Sequence, residues 1–576
     1  MYKKILIVIF ILAVFAEGQV LQMQKMNAAI RENGKYHAWV YFTDKVKSLE
    51  KPRISQKALK RRSKVNMDNN YDWYDLNPSD EYINKVLDTG AFLRGKSRWL
   101  NAISIECTEN ELIEISYMPF VNEIKPVNQF HRKNIEIIKP ANSLQKSVLK
   151  SDIDYGTARE QLEQINVPMA HDAGYFGQGV TVLMLDTGYN LDHPVFDSLN
   201  VIVEWDVIND DSTTKNEDGQ DVASQHNHGT ATFSALGGYA PGSLIGPAYK
   251  ADFLLAKTEI LDQEIEMEED HYVRALEWGE ARGADMASSS LGYTDWYMWE
   301  NMDGNTAVTT KAVDIAAKLG MICVTAAGNE NLNNPQFEWT HIIAPADADS
   351  VLSVGAVNNL GVIAGFSSRG PSFDGRIKPE VCARGVSTAC ASGNGVTYAY
   401  SSGTSLSTPL VAGAVAVLLS ARPTWTPMMV REALMKTASQ SNIPNNDYGS
   451  GIIDVWEAMN VDSLLINGIM THIEKLPIDN PSIPEKFSLY QNFPNPFNAN
   501  TTIEYDLEQN THVELTVFDI LGRKIIKLAD HTDTAGKKSI TWNGTDTNGN
   551  PVSTGVYIYY LKLDDVSFTK KMLMIK

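Results

Sequence analysis

Short apolar runs, almost unbroken and each only a few residues long, are what most restrict the folds open to this chain. Val180-Thr181-Val182-Leu183-Met184-Leu185 is one, Phe253-Leu254-Leu255-Ala256 another, and Met321 to Ala326 a third. A strand with one wet face alternates; a run without alternation has both faces buried, as in a parallel sheet covered by helices. Helical patterns lie between the runs, at His271 to Ala281 and Thr309 to Leu319. Strands alternating with helices predict an α/β domain with a parallel sheet and helices on both faces.

The chain has 576 residues, enough for more than one domain. Positions 1–18 read as a secretory signal peptide: Lys3 and Lys4, an apolar run from Ile5 to Phe15, then Ala16-Glu17-Gly18. The same run taken as a membrane anchor would be short for a bilayer, and no later stretch reads as a span. Positions 19–150 suggest a small α+β domain, with strands at His37–Phe42, Asn101–Cys107 and Val121–Val127 and a helix at Glu109–Tyr117. The polar stretch Lys139–Asp154 reads as a linker. The α/β domain is expected over 151–462, and a proline-bearing linker over 463–486. Over 487–576, alternating strands such as Thr502–Leu507 and Val513–Phe518, with turns at Leu521-Gly522, Asn543-Gly544 and Asn548-Gly549, predict an all-β sandwich.

A net charge of −20 argues against nucleic acid and anionic lipid as partners. Four cysteines could pair in an exported protein, Cys382 with Cys390 for instance, or stay as buried thiols; their spacing fits no zinc site.

Four short motifs carry chemistry. Asp186-Thr187-Gly188 directly follows an apolar strand, and working residues of open α/β sheets gather at strand carboxyl ends. Asp186 could orient a histidine, or merely cap a turn. Asp-Thr-Gly also marks aspartic proteases, which want a second copy that the chain lacks. His228 lies in Asn227-His228-Gly229-Thr230-Ala231-Thr232, at the start of a helix rich in small residues. It could be structural, or form an H-x-H metal pair with His226, although no further metallohydrolase ligands follow. Ser405 lies in Gly403-Thr404-Ser405-Leu406-Ser407-Thr408-Pro409, and Pro409 places it near a helix N-terminus, where free amides favour negative charge. A plain N-cap serine would explain the position but not the motif. Asn329, in Ala326-Ala327-Gly328-Asn329-Glu330, ends another buried strand, where its amide could donate to an oxyanion or simply make a turn.

The order Asp186, His228, Ser405 in these contexts resembles the subtilisin-like serine proteases, family S8, from about Tyr155 to Asn460. Ser289-Ser290-Leu291-Gly292, Phe366–Pro371 and Asp374–Glu380 extend the resemblance. It implies an endopeptidase in which Ser405 is the nucleophile, His228 the general base and Asp186 its orienting acid. Asn329 and the Ser405 amide would form the oxyanion hole. Ser290, Leu291, Gly292, Ala326, Ala327 and Gly328 would bind protein or peptide substrate. Leu406, Ser407 and Ala231 depart from frequent family residues without touching a proton-transfer group. No cofactor or metal is required for the chemistry and a monomer is expected. Structural calcium is possible near Asn209-Asp210-Asp211, Glu217-Asp218 and Asp221, where a solvated loop is the other reading. An esterase would instead show Gly-x-Ser-x-Gly and the order Ser, Asp, His.

Region 19–150 fits the position of a subtilisin propeptide, or else an accessory domain, with processing near Ser151–Tyr155. Tyr490–Asn498, Val517–Arg523, Trp542–Gly544, Gly555–Tyr557 and Lys570–Lys576 resemble a type A sorting domain of the type IX secretion system. That implies secretion machinery as a partner, passage through the periplasm, and release or attachment at the cell surface. An Ig-like substrate-binding module is the alternative.

Overall fold

The computed structural model describes residues 34–45, 53–65, 73–127, 129–130, 153–261, 264–265, 267–294, 296–330, 341–461, 487–490, 492, 497, 501–520, 522–533, 536–547, 550–564 and 566–574. The expected signal peptide, the first linker and processing segment up to Asp152, and the second linker lie outside these residues. The chain divides into two compact units, 1–470 and 471–576.

In the first unit, strands β1 (Tyr36–Phe42), β2 (Phe92–Ser97), β3 (Ala102–Cys107) and β4 (Val121–Pro126) form an antiparallel sheet in the order β2-β3-β1-β4. Helices α1 (Gln56–Arg62), α2 (Asp80–Leu87) and α3 (Glu109–Ser116) complete this N-terminal domain. Thr108 caps α3 in a reciprocal capping box with Glu111. The α1 and α2 helices and β2 were not foreseen from sequence. The charged stretch Lys51–Lys64 contains α1, whose Arg61 and Arg62 are buried.

The larger domain is built on seven strands: β5 (Thr181–Asp186), β6 (Asn200–Asp206), β7 (Asp252–Lys257), β8 (Met286–Ser289), β9 (Ile322–Ala326), β10 (Leu352–Val357) and β11 (Val381–Arg384). Their order is β11-β10-β9-β8-β5-β7-β6, parallel throughout. Every residue of β5, β8, β9, β10 and β11 is buried, as the unbroken apolar runs require. The order reverses at β5, which leaves a crevice at its carboxyl end. Helices α4 (Asn227–Gly237), α5 (Met267–Arg282), α6 (Val308–Lys318) and α7 (Thr404–Ala421) cover the sheet. Residues of α7 join one apolar core and residues of α5 and α6 the other.

One expectation about α7 needs correction: by length and hydropathy it could cross a membrane, yet it is a core helix, its apolar window 83% buried. Ser405 does sit at the helix N-terminus, and Pro409 lies in the second turn. A proline there leaves the carbonyl four residues back, that of Ser405, without its helical donor. The Ser290 hydroxyl supplies one instead, donating to Ser405 O at 2.9 Å.

The N-terminal domain packs on α5 through buried charge. Asp270 accepts from Ser104 Oγ at 2.7 Å and from the Trp39 indole. Glu277 accepts from Ser97 Oγ at 2.5 Å and from the backbone amides of Arg98 and Trp99. Gln129–Phe130, past β4, pairs antiparallel with Glu264–Ile265 just before α5.

In the second unit, β12 (Thr501–Leu507) pairs with Ser488–Leu489 and β15 (Gly536–Trp542). A second sheet runs β14 (Lys524–Asp533), β13 (Thr511–Asp519), β16 (Gly555–Lys562), β17 (Ser567–Met574), again antiparallel. Trp542, Tyr505 and Tyr559 fill the core between them.

Candidate active site

Asp186 is the last residue of the central strand β5 and is fully buried. Its Oδ1 accepts from the Thr187 amide at 2.7 Å and lies 2.6 Å from His228 Nδ1. Its Oδ2 accepts from Thr232 Oγ1 at 2.8 Å. With Nδ1 held as a donor by a carboxylate, the neutral imidazole carries its lone pair on Nε2. His228 is the second residue of α4, and its side chain is 30% exposed. The helix reaches this close because residue 229 is glycine: a Cβ there would sit 2.1 Å from the Gly188 carbonyl and 3.0 Å from Asp186 Cβ. Thr232 was part of the motif, one turn past the histidine, but its role as second donor to Asp186 was not inferred.

Ser405 is the second residue of α7, after Gly403 at the N-cap. Its hydroxyl donates to the Ser290 carbonyl at 3.3 Å, so the Ser290–Gly292 segment runs beside it. Leu406 packs on Ala235 and Cys390, and Ser407 Oγ donates to the Thr404 carbonyl at 3.0 Å, so neither departure contacts the Ser405 hydroxyl in these bonds.

Asn329 follows β9, after Ala326, Ala327 and Gly328. Its Oδ1 accepts from Thr404 N at 2.8 Å and from Thr404 Oγ1 at 3.1 Å. This fixes the amide orientation and leaves Nδ2 as the donor beside Ser405. Ser368 braces the same turn: its amide donates to Gly328 O at 2.9 Å, and its Oγ accepts from Glu330 N at 3.0 Å. The structure therefore brings Asp186 to His228 and Asn329 to the start of the Ser405 helix, with Ser290–Gly292 on the other flank. Thr404 and Ser368 were missed, because nothing local in sequence marks a side chain that positions another.

Metal readings fare differently. His226 Nδ1 accepts from the Asn216 amide at 3.0 Å while His228 binds Asp186, so the H-x-H pair is no chelate. In the acidic stretch, Asp221 Oδ1 pairs with Lys257 Nζ at 2.6 Å, and Asp206 Oδ2 holds the same ammonium at 2.7 Å. Asp210 accepts from Trp205 Nε1, and Asp211 from the Thr213 amide. Among the described residues no group of three His, Cys, Asp or Glu side chains is gathered as a metal site. The four cysteines are buried and free, so Cys382 and Cys390 form no bridge.

Comparison with known proteins agrees with this architecture. The subtilase family model matches residues 177–451, the Bacteroidota S8 propeptide domain matches 37–142, and a FlgD Ig-like domain matches 497–565. Subtilisin of Bacillus pumilus is 32% identical over 303 residues, 52% of this chain and 97% of that protein. Subtilisin E of Bacillus subtilis is 33% identical over 298 residues, 52% of this chain and 70% of that protein. Subtilisin Savinase of Lederbergia lenta is 28% identical over 297 residues, again 52% of this chain and 97% of that protein. With a parallel sheet of this topology, an S8 propeptide domain ahead of it and an Ig-like β domain behind it, the chain belongs to the subtilase family of serine peptidases.

Proposed function

We propose that this peptidase is an exported endopeptidase in which Asp186, His228 and Ser405 form the catalytic triad. The observation that carries the reading is the buried Asp186 carboxylate 2.6 Å from His228 Nδ1, which leaves Nε2 as the base. Ser405 Oγ rotates from the Ser290 carbonyl to His228, gives up its proton to Nε2 and attacks the scissile carbonyl carbon. The carbonyl oxygen becomes an oxyanion, stabilised by Asn329 Nδ2 and the Ser405 amide at the positive end of α7. His228, now an imidazolium steadied by Asp186, protonates the leaving amine, and an acyl-enzyme remains. Water then repeats the cycle against the ester. Every proton and electron pair in this scheme moves between substrate, water and side chains of the chain itself, so no cofactor enters it.

The N-terminal domain acts as the propeptide of a zymogen that the enzyme removes by its own activity. Positions 1–18 direct export, and the C-terminal sandwich addresses the protein to a type IX machinery. Support for the last point is that Tyr490, Asn492 and Phe497 of the sequence motif are tied to the closing strands. Tyr559 Oη donates to Tyr490 O at 2.7 Å and accepts from Asn492 N at 2.8 Å, and Phe497 N donates to Leu573 O at 2.9 Å.

Casein hydrolysis by the purified protein beside Ser405→Ala, with both products sized by mass spectrometry, tests this. Activity and loss of the N-terminal domain in the wild type alone are expected. Turnover should fall on the order of a millionfold in the variant, a magnitude established for subtilisin itself. Two full-length proteins, both folded and both inert, would overturn the triad.

A further inference from the structure

The two segments that flank Ser405 converge on one side chain that the sequence did not single out, Ile343. Ser290 O receives the Ser405 hydroxyl at 3.3 Å, so Leu291 and Gly292 run along one side of the reacting bond. Asn329 is bound to Thr404, so Ala326–Gly328 run along the other. A substrate whose carbonyl carbon lies over Ser405 Oγ has only the space between those flanks for the side chain preceding the cleaved bond.

Each flank carries a glycine, and the Ile343 side chain lies against both. A Cβ on Gly292 would sit 2.2 Å from Ile343 Cδ1 and 2.5 Å from its Cγ1. One on Gly328 would sit 2.7 Å from Ser368 Oγ, 3.0 Å from Ile343 Cγ2 and 3.1 Å from its Cδ1. Gly292 thus makes room for the protein's own isoleucine, and Gly328 for that isoleucine and Ser368. Its backbone is pinned to both walls: Ile343 N donates to Ala327 O at 3.2 Å, and Tyr293 and Ala344 exchange hydrogen bonds at 2.8 and 3.2 Å. The β-branched side chain has little rotamer freedom with which to withdraw, and it is 8% exposed.

We propose that Ile343 closes the pocket for the residue preceding the scissile bond, so that this protease cleaves after small side chains (glycine, alanine, serine) and rejects aromatic and long aliphatic ones. The proposal rests on the reading of Ser405 and its two flanks given above. One methylene in an apolar pocket is worth roughly 10–200-fold in discrimination, so excluding a phenyl ring should reach at least the lower end.

The test uses the matured wild type, Ile343→Ala and Ile343→Val, each titrated with a fluorophosphonate that labels an activated serine. Two matched peptide anilides differ only in alanine or phenylalanine before the cleaved bond. The wild type should favour alanine at least about tenfold in kcat/KM. Ile343→Ala should raise the ratio of phenylalanine to alanine cleavage by about tenfold or more. Ile343→Val, which removes only Cδ1 and is the milder change in the core, should move the ratio the same way by less. A wild type that prefers phenylalanine, or variants that label fully but keep the wild-type ratio, would overturn the pocket while leaving the triad standing. A wild type that neither labels at Ser405 nor cuts either substrate overturns the site, and the pocket with it.

Discussion

Truncating Glu280 to alanine tests how the propeptide domain is held on the protease. The Glu280 carboxylate accepts from Arg62 Nε at 2.9 Å and Nη2 at 2.8 Å, from Arg98 Nη2 at 2.9 Å, and from Arg61 Nη2. Asp75 holds Arg62 through bonds of 2.6 and 2.8 Å and Arg98 at 3.1 Å, and Glu277 lies 3.6 Å from Arg98. Three guanidinium groups of the propeptide domain therefore face three carboxylates, two of them on α5. Arg61 and Arg62 are each 1% exposed. Burial lowers the Arg61 pKa and raises that of Glu277; burial opposes the charge of Glu280 too, but Arg61, Arg62 and Arg98 outweigh it and hold the carboxyl below its usual range. Removing Glu280 leaves one positive charge uncompensated with no water to take its place, which costs about 3–5 kcal/mol. In the Ser405→Ala precursor, which the proposed triad predicts will keep its N-terminal domain, the loss should appear in hydrogen exchange of α1 and of the end of α5. Protection there should drop by about two to four powers of ten, at 1.36 kcal/mol per power. The exposed pair Lys85–Glu81 is the control: Glu81→Ala should cost no more than about 0.5 kcal/mol. If Glu280→Ala shifts protection no more than that control, the guanidinium groups have other partners and the account of docking is wrong.

Other outcomes follow from single contacts. Burial lowers the pKa of His171 to about 4, against 6.5 in the unfolded chain. As pH falls below 6.5 the unfolded chain takes up the proton first, so stability present at pH 7 is lost toward pH 4, on the order of 2 kcal/mol by pH 5. Urea midpoints of the Ser405→Ala precursor at pH 7 and 5 should show that slope, and His171→Gln should flatten it. Burial pushes the Cys107 and Cys390 thiols up to about 12 and raises Cys323 and Cys382 too. A disulfide reagent at pH 8 should therefore find no thiol in the native Ser405→Ala precursor and four after denaturation, whereas two would mean that a bridge exists. Ser290→Ala should cost about 1–3 kcal/mol by orphaning the Ser405 carbonyl, and adding Pro409→Ala, which restores a helical N–H, should recover part of it in thermal unfolding.

Whether a feature was legible in the sequence depended on how far away its cause lay. Strands β5, β7 and β9 could be read because burial on both faces writes itself locally as an apolar run. Asp186 and Asn329 could be found because they stand where such runs end. The edge strand β6, half-exposed and without a run, could not. Polar residues mislead for the complementary reason: their fate depends on partners distant in the chain. The basic residues of α1 look like a solvated face until Glu280 is placed beside them. Asp221 reads as one carboxylate of an acidic loop until Lys257, on the strand next to Asp186, takes its Oδ1. Pro409 looks like a helix start until Ser290 stands in for its missing amide. Ile343 belongs to the same class, an ordinary apolar residue in an ordinary loop until Gly292 and Gly328 close on it from two sides. The chemistry is thus written in short motifs that end buried strands, while selectivity and restraint are written in pairings between segments that only the fold brings together. On the triad proposed above, substitutions at the latter should change which bonds are cut, and when, well before they change whether any bond is cut at all.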